Sequence, residues 1–440
     1  MRDIEKRLTS QGRAAEEALS FVFKEIFIEN RPADRALAFY FKEHKYLGSR
    51  DRRLIYELIF SVFRWYGWLK KCVKIFNLCE FQNKKEIVKI LFLASMPILQ
   101  NNESLIEHVN IWGKCLNIKN KTSQFDKTFD LKKYKELLAE FAIDEKLEDF
   151  ELIPDWIRDE FNPDIDIVKF LDWNQKRPPI WIRINGQVNK IIDEFTKNSI
   201  PFEFHPRIKN ALSIKESHVS LYILDSFKAG LFEIQDLASQ CIGLACSPNS
   251  SQRWWDACAG AGGKTLQLSS LMNNKGKILS TDIREYKLDD LKKRGKRAQI
   301  SNIQCSEWNG KSLRAKKSHS FDGVLVDAPC SCSGTWRRNP DAKWRLSKEE
   351  VDGIVEIQKN ILKHAESGVK KDGLLIYATC SVFERENRHV VEDFLMTHSD
   401  YKLEPFENPI TGEACSGMLQ VMSWDGDNDS MFIAKLRKIN

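Results

Sequence analysis

The chain has 440 residues, of which 42% are apolar and 30% are charged, and it carries a formal net charge of +6 and 11 cysteines. This length and composition indicate about two to three globular domains and exclude a disordered or fibrous protein. An odd number of cysteines in a long chain excludes the disulfide framework of a small secreted domain. The small positive excess permits a nucleic-acid partner without requiring one.

Two features bear on the compartment in which the protein works. The first residues, MRDIEKRL, lack the apolar stretch of a signal peptide. The longest uncharged run of moderate hydropathy, Ile90–Asn101, is too short to cross a bilayer. We therefore expect a soluble protein of the reducing cytoplasm, where thiols stay available for chemistry.

Residues 1–150 predict an all-helical domain that ends in a polar linker. Apolar side chains recur every three or four residues in AAEEALSFVFKEIFIE and DRRLIYELIFSVFRWYGWL, which is the period of amphipathic helices. Pro32 suits the first turn of a helix, and Gly48 punctuates the start of the next one. Residues 116–148 are polar and rich in lysine, so we expect a linker or a peripheral insertion there.

The remaining chain predicts a small α+β unit followed by a larger α/β domain. Within residues 151–235, RPPIWIRIN indicates a strand and IIDEFTKNSI a helix. Within residues 236–440, helical patterns alternate with strands, which favours a doubly wound parallel sheet whose ligands bind at the carboxyl ends of the strands. The predicted strands of this domain are 253–257, 277–283, 321–328 and 373–380.

A glycine-rich turn follows the first of these strands, in DACAGAGGKT at 256–265. A phosphate-binding P-loop needs glycine six residues before its lysine, where this chain has Cys258. A dinucleotide or S-adenosylmethionine turn needs an acidic residue at the end of the next strand, and Asp282 stands there. The sequence therefore favours an adenosine-containing cofactor, with a plain strand-to-helix turn as the alternative.

Two cysteines follow two other strands of the predicted sheet. VLVDAPCSCSGTWRRNPDAKWR delivers Asp327 and Cys330, and LLIYATCSVFERENRHVV delivers Cys380. These side chains would converge on one pocket at the edge that carries the glycine turn. A cysteine by itself is more often a small buried apolar residue. The spacing of the cysteines, without a CxxC pair or clustered histidines, disfavours a zinc site.

The motifs DACAGAGGKT, DAPCSCSGTWRRNPDAKW and YATCSVFERENRHVV resemble the signatures of the RsmB/Sun-type RNA (cytosine-5) methyltransferases. GLFEIQDLASQ and RPPIWIRIN resemble segments that precede the catalytic domain in this family. The resemblance implies a Rossmann-like methyltransferase domain at 236–440 and a small α+β RNA-binding subdomain at 151–235. Residues 1–150 are similar, more weakly, to the NusB-like domain of the bacterial small-subunit rRNA enzymes.

The resemblance also implies the chemistry of the site. Cys380 would be the nucleophile that adds to carbon 6 of cytosine, and Cys330 would assist the elimination that releases the product. Asp327 would bind ring nitrogen 3 and the exocyclic amine of the base, and we hypothesise that Lys264 lowers the pKa of the nucleophilic thiol. S-adenosylmethionine would contact Cys258, Ala259, Gly260, Ala261, Gly262, Gly263 and Lys264 with its methionine part, Asp282 with its ribose, Asn309 with its adenine and Asp327 near its sulfonium.

Three positions depart from the family pattern. Gly260 and Ala261 replace an Ala-Pro pair, Cys332 stands where glycine is common, and Asn309 replaces an aspartate. We expect Cys332 to be inert. An amide at position 309 can still meet the exocyclic amine of adenine.

The expected partner is RNA, with rRNA favoured and tRNA as the alternative, and we expect a monomer without a metal ion or a membrane partner. Trp336 and Trp344 suit either base stacking or burial, and the run KKRGKR at 292–297 suits a solvated face better than RNA. A non-catalytic RNA-binding assembly protein and a P-loop ATPase remain as other functions. The side chains predicted to bind RNA are Arg337, Arg338, Lys343, Arg177 and Arg183.

Overall fold

The computed structural model describes residues 2–73, 84–101, 104–118, 131–143, 146–215, 219–311 and 318–439. This part of the chain forms two compact units. The first, the helical unit, comprises Met1–Asp159, Asp164–Lys176 and Trp336–Leu346. The second, the sheet unit, comprises Glu160–Pro163, Arg177–Thr335 and Ser347–Asn440. Among the described residues, no helix has both the length and the apolar character to cross a membrane.

The helical unit is built around the helix Ser49–Leu69 (α3), whose second half is buried on all sides. Trp65 and Trp68 lie fully inside, and their ring centroids are 5.5 Å apart. Its neighbours pack against it through the apolar faces that the sequence period indicates. The helices of this unit are α1 (Arg2–Phe27), α2 (Ala33–Glu43), α3 (Ser49–Leu69), α4 (Lys84–Ser95), α5 (Ser104–Cys115), α6 (Leu131–Ala139), α7 (Ile167–Asn174) and α13 (Ala342–Arg345).

The boundary of the helical unit differs from the one expected at residue 150. The unit includes α7 and also the distant segment 336–346. Arg64 of α3 explains this, because its guanidinium donates to the carbonyl of Asn174 at 2.6 Å and to that of Arg337 at 2.9 Å. Trp344 adds a hydrogen bond from its indole to the carbonyl of Phe63 at 2.7 Å. Part of the polar region 116–148 lies outside the described residues.

A small antiparallel sheet opens the sheet unit, in the strand order β2-β3-β1-β4. Its apolar face packs on α8, where Ile191 and Phe195 are buried among the isoleucines of the strands. The strand and the helix expected within 177–200 are both present. The elements are β1 (Ile180–Ile184), α8 (Val188–Lys197), β2 (Glu203–Phe204), β3 (Ala211–Ile214), α9 (Asp225–Lys228) and β4 (Phe232–Ile234).

The larger sheet has the strand order β10-β14-β9-β8-β5-β6-β7, with β13 paired to β14. Strands β5 to β9 are parallel, and β14 joins antiparallel to β9. The remaining helices and strands of the sheet unit are α10 (Leu237–Cys246), β5 (Arg253–Asp256), α11 (Gly263–Leu271), β6 (Lys277–Asp282), α12 (Glu285–Arg297), β7 (Ile303–Glu307), β8 (Phe321–Asp327), α14 (Lys348–Ala365), β9 (Val369–Thr379), α15 (Arg388–Thr397), β10 (Tyr401–Leu403), β11 (Phe406–Glu407), β12 (Ala414–Cys415), β13 (Met418–Val421), α16 (Ser423–Gly426) and β14 (Met431–Lys438).

This topology confirms the predicted doubly wound parallel sheet. The chain moves outward from β5 through β6 to β7 and then returns to β8 on the other side of β5. Such a switch point leaves a crevice at the carboxyl ends of the two central strands, where ligands of this architecture bind. The crevice therefore lies between the glycine turn after β5 and Asp327 at the end of β8.

Gly323 of β8 offers a direct test of the packing at the centre of the sheet. It pairs with Trp254 of β5, and a Cβ at this position would lie 2.3–2.5 Å from three atoms of the buried indole. Replacing Gly323 by alanine should lower the free energy of unfolding by about 1–3 kcal/mol, because the sheet cannot move the indole without strain. Chemical denaturation measures this change.

Gly353 of α14 is the matched control. A Cβ there would meet no heavy atom within 4 Å, so Gly353→Ala should stabilise the helix by up to about 1 kcal/mol. Equal effects of the two substitutions would contradict the packing described for Trp254.

Candidate active site

The glycine turn follows β5 and is shaped by a buried carboxylate below it. Asp256 accepts a hydrogen bond of 2.6 Å from the hydroxyl of Thr265 on α11, and burial raises the pKa of Asp256 to about 7. Gly262 has φ +87°, and a Cβ there would lie 2.5 Å from the side chain of Leu291. Gly260 also adopts a left-handed φ, +52°. Both positions therefore favour glycine.

A buried ionic cluster fixes the turn from the side of the small sheet. Glu233 of β4 is buried and pairs with Arg294, at 2.8 Å, and with Arg297 of α12. Arg294 also donates to the carbonyl of Ala261 at 2.8 Å. The two arginines of the basic run 292–297 therefore support the turn, and its lysines are exposed, as expected of a solvated face.

Asp282 lies at the end of β6, beside the turn. One of its carboxylate oxygens accepts the backbone N–H of Gly260 at 2.9 Å, which ties the turn to the second strand. Arg284 donates to both oxygens through its side chain, at 3.0 and 3.2 Å, and this pairing outweighs burial to lower the pKa of Asp282. Asn309 is exposed two residues beyond Glu307, the register partner of Asp282 on β7. The fold thus brings both predicted cofactor contacts to one edge.

Lys264 and Asp327 form an ion pair in the crevice between the central strands. The ammonium nitrogen of Lys264, in the first turn of α11, lies 2.6 Å from Asp327 Oδ2 at the end of β8. Burial alone would lower the pKa of Lys264, but Asp327 and other acidic groups outweigh burial and raise it. Lys264 therefore stays charged and holds the Asp327 carboxylate in place.

The two predicted thiols meet at this edge of the sheet. Cys330 Sγ, on the loop after β8, lies 3.2 Å from Cys380 Sγ, directly after β9. The thiol of Cys332 joins them, since the three sulfur atoms all lie within 4.8 Å of one another. Cys332 adopts φ +58°, a left-handed conformation that accounts for the preference for glycine at this position.

The surroundings of both thiols raise their pKa values. The pKa of Cys330 is raised by hydrogen bonds with Cys332 and Cys380 and by burial. The hydrogen bond from Cys330 favours the Cys380 thiolate, but Cys332 and burial outweigh it and raise the pKa of Cys380 as well. The hypothesis that Lys264 lowers the pKa of the nucleophile stays a prediction. The Lys264 ammonium interacts with charge on Cys380, but it is also paired with Asp327, and the net pKa of Cys380 is raised.

A buried carboxylate that sequence reasoning missed joins the two cysteine loops. Glu386 accepts from the backbone N–H of Ser331 at 2.8 Å and from Gln358 at 3.0 Å. It also accepts from the hydroxyls of Ser331 and Ser381, each at 2.5 Å. Burial raises the pKa of Glu386 although these four hydrogen bonds favour the charged form. Its presence in the motif YATCSVFERENRHVV was the only available signal.

Three of the five predicted RNA contacts are wrong, because their cationic groups are buried. Arg337 is 1% exposed, lies over the ring of Trp173 and donates to the carbonyl of Lys176 at 3.1 Å. Lys343 is also 1% exposed and donates to the carbonyl of Arg64, and burial lowers its pKa well below the usual value. Both belong to the core of the helical unit, where no phosphate reaches them.

Arg183 is the third residue in this group, and it belongs to the sheet unit. It lies inside the small sheet opposite Glu233, and burial lowers its pKa to about 10. Its role is structural, because its charge balances the buried carboxylate of Glu233. Of the five residues, Arg338 is half-buried and Arg177 is exposed, and both stay predicted RNA contacts. Trp336 is buried, with its ring centroid 6.2 Å from that of Phe170.

The strand order, the glycine turn and the acidic strand end define a Rossmann-like fold of the class found in S-adenosylmethionine-dependent methyltransferases. Residues 243–437 match the family model of the 16S rRNA methyltransferases RsmB/F, which confirms the resemblance to the RsmB/Sun-type enzymes for that part of the chain. Ribosomal RNA small subunit methyltransferase B of Photorhabdus laumondii is 32% identical over 278 residues, which is 61% of this chain and 62% of that protein. The protein of the same name from Pasteurella multocida is 30% identical over 279 residues, or 62% of this chain and 61% of its own. The chain thus matches about three fifths of the length of these relatives.

Solved structures show the same fold. The crystal structure of PH0851 aligns with a TM-score of 0.72 and 23% identity over 96% of this chain and 99% of that chain. NSun6 from Pyrococcus horikoshii, determined with SFG, aligns with a TM-score of 0.56 and 18% identity over 65% of this chain and 97% of its own. At these identities the likeness establishes the architecture alone.

The residues of the glycine turn fit S-adenosylmethionine. A Cβ added at Gly260 or Gly263 would meet no heavy atom within 4 Å, so the turn leaves open space beside the N-terminus of α11. Asp282 supplies a carboxylate at the edge of that space for ribose hydroxyls. Arg284 now donates to both oxygens of that carboxylate and must share it or move aside.

Arg284 should therefore compete with the cofactor for Asp282. Replacing Arg284 by alanine should tighten S-adenosylmethionine binding about 2–5-fold, because an ion pair whose arginine is exposed to solvent contributes about 0.5–1 kcal/mol. Isothermal titration calorimetry measures the affinity. Lys287→Ala removes a charge from α12, which directly follows Arg284, without touching Asp282 and is the control. Weaker binding by the Arg284 variant would show that Arg284 itself contacts the cofactor.

Glu386 should control the positions of the two thiols. In Glu386→Gln an amide N–H group faces either a backbone N–H or the two serine hydroxyls, so stability should fall by about 1–3 kcal/mol. Methyl-transfer kcat should fall roughly tenfold to a hundredfold through misplacement, with the affinity for S-adenosylmethionine unchanged. Glu404→Gln, on an ion pair with Arg437 away from the site, is the control. An unchanged kcat would contradict this role.

Proposed function

We propose that the protein methylates carbon 5 of a cytosine in RNA through a covalent adduct between Cys380 and the base. One observation carries the proposal: two thiols from separate strand ends lie 3.2 Å apart beside the Lys264–Asp327 pair. A fold without this chemistry has no need of two thiols at the edge where its cofactor turn lies. Small-subunit rRNA is the favoured substrate, because the relatives with matching sequence are named ribosomal RNA small subunit methyltransferase B.

The chemistry requires a nucleophile because carbon 5 of cytosine is too electron-poor to accept a methyl group directly. In our proposal the Cys380 sulfur bonds to carbon 6, which makes carbon 5 enamine-like. The proton of the Cys380 thiol passes through Asp327 to ring nitrogen 3 of the base. Since the pKa of Cys380 is raised in the free protein, this transfer belongs to the addition step. Lys264 keeps the Asp327 carboxylate in position for it.

S-adenosylmethionine, when bound, supplies an electrophilic methyl group on its sulfonium. Cys330 then completes the cycle. It gives its own proton to solvent, to which it is partly exposed, and its thiolate accepts the proton on carbon 5. The double bond between carbons 5 and 6 re-forms, the Cys380 sulfur leaves, and ring nitrogen 3 returns its proton through Asp327 to that sulfur. The short distance between the two thiols allows both to reach neighbouring carbons of one base.

The base must leave its stack to reach this crevice, as in other enzymes that modify bases. Arg338 and Arg177 are the phosphate contacts that remain in our proposal. Mapping 5-methylcytosine in rRNA and tRNA from cells that lack the protein identifies the substrate. A mark lost from tRNA alone would replace rRNA with tRNA. No methyl transfer from labelled S-adenosylmethionine to any RNA would favour a non-catalytic RNA-binding assembly protein.

The division of labour between the thiols gives a sharp prediction. Cys330→Ala should allow addition and stall elimination, so a covalent RNA–protein adduct that survives denaturing electrophoresis should accumulate. Cys380→Ala should abolish both methyl transfer and the adduct while leaving S-adenosylmethionine affinity near normal. Cys305→Ala, which removes a partly buried thiol from β7, is the control. An adduct in Cys380→Ala and none in Cys330→Ala would reverse the two roles.

A further inference from the structure

The thiol of Cys332 adds a third sulfur to the pair that the proposed reaction uses. Within the described part of the chain, Cys330, Cys332 and Cys380 are the group whose ligand atoms lie close enough together to hold a metal ion. Cys332 is exposed on its loop, and its sulfur lies 3.5 Å from the carbonyl oxygen of Cys330. Addition and elimination need two thiols, so the reaction gives the third one no task.

The distances suit a thiophilic ion. Zinc–thiolate bonds of about 2.3 Å place the sulfurs of a three-thiolate site about 3.8–4.0 Å apart. The observed separations, 3.2 Å for Cys330 to Cys380 and no more than 4.8 Å for any pair, bracket that value. Shifts of less than an ångström in side chains on two loops would close the site. Glu386 holds those two loops in register, so the ligands are already assembled.

The charges also suit a divalent cation. Three thiolates around one such ion leave a net charge of −1, and the Lys264 ammonium lies close enough to Cys380 to interact with its charge. Cys332 is exposed while Cys330 and Cys380 are partly buried, so the group is open to solvent on the Cys332 side. Thiolate ligands select soft or borderline cations over magnesium or calcium.

We propose that Cys330, Cys332 and Cys380 form a binding site for a thiophilic divalent cation, with Zn²⁺ as the physiological candidate, and that the bound ion reversibly blocks methyl transfer. Binding replaces three S–H bonds with three metal–sulfur bonds and releases three protons, so it strengthens as pH rises. The inhibition rests on the proposed function, because it requires Cys330 and Cys380 to be the reacting thiols. The ion-binding site itself does not depend on the proposed function.

The test measures ion binding and methyl transfer separately on the full chain. Cd²⁺ reports binding through thiolate-to-metal charge-transfer absorption in the ultraviolet, and Zn²⁺ affinity follows from competition with a chromophoric chelator. The first variant is Cys332→Gly. Position 332 has a left-handed φ, which glycine adopts readily, so this substitution should preserve the fold. Cys332→Ser is the second variant, and Cys115→Ser, which removes an exposed thiol of the helical unit, is the control. Thermal unfolding checks each variant.

The wild-type chain and Cys115→Ser should bind one ion at the site, with release of three protons. Cys332→Gly should lose at least about tenfold in affinity, and inhibition of its own metal-free rate of methyl transfer should need a correspondingly higher Zn²⁺ concentration. A chelator should restore the wild-type activity. Equal affinities of wild type and Cys332→Gly, or no charge-transfer band in the wild type, would overturn the site. A normal band in a chain that transfers no methyl group would instead overturn the proposed function.

Discussion

The two loops that carry Cys330 and Cys380 are joined through the buried carboxylate of Glu386. It accepts hydrogen bonds from Ser331 on one loop and Ser381 on the other, each residue directly following its cysteine. A buried carboxylate is costly unless its oxygens are fully bonded, so the two loops cannot separate without leaving unpaired lone pairs. The spacing of the thiols, and with it the proposed order of addition and elimination, depends on this one group.

The positions of the thiols were predictable because parallel strands end at a common edge. Asp327, Cys330 and Cys380 follow two apolar runs, and that pattern alone places them together. The RNA contacts were not predictable in the same way. Arg337 and Lys343 look like surface cations in the sequence, and only the packing of 336–346 shows that their charges lie inside the helical unit. Charge along a sequence does not reveal burial.

Other features could not be predicted because the residues that form them are distant in the sequence. The sequence did not predict that three sulfurs come together, because Cys380 lies 50 residues after Cys330 in the chain. Strand β7 is short and polar, as are its surroundings, so hydrophobic periodicity gave no signal for Ile303–Glu307. Glu386 is one of several charged residues in its motif, and nothing in the local sequence indicates that it is the buried one.

The course of the chain after Thr335 has a consequence for how the protein is made. The loop with Cys330 and Cys332 belongs to the sheet unit, yet the next eleven residues, Trp336–Leu346, complete the core of the helical unit. Arg64 and the carbonyl of Phe63 bond to that segment. During synthesis from the N-terminus, the helical unit cannot close its core until residue 346 has left the ribosome, by which time β5 to β8 are already available to pair. The two units therefore mature together rather than one after the other.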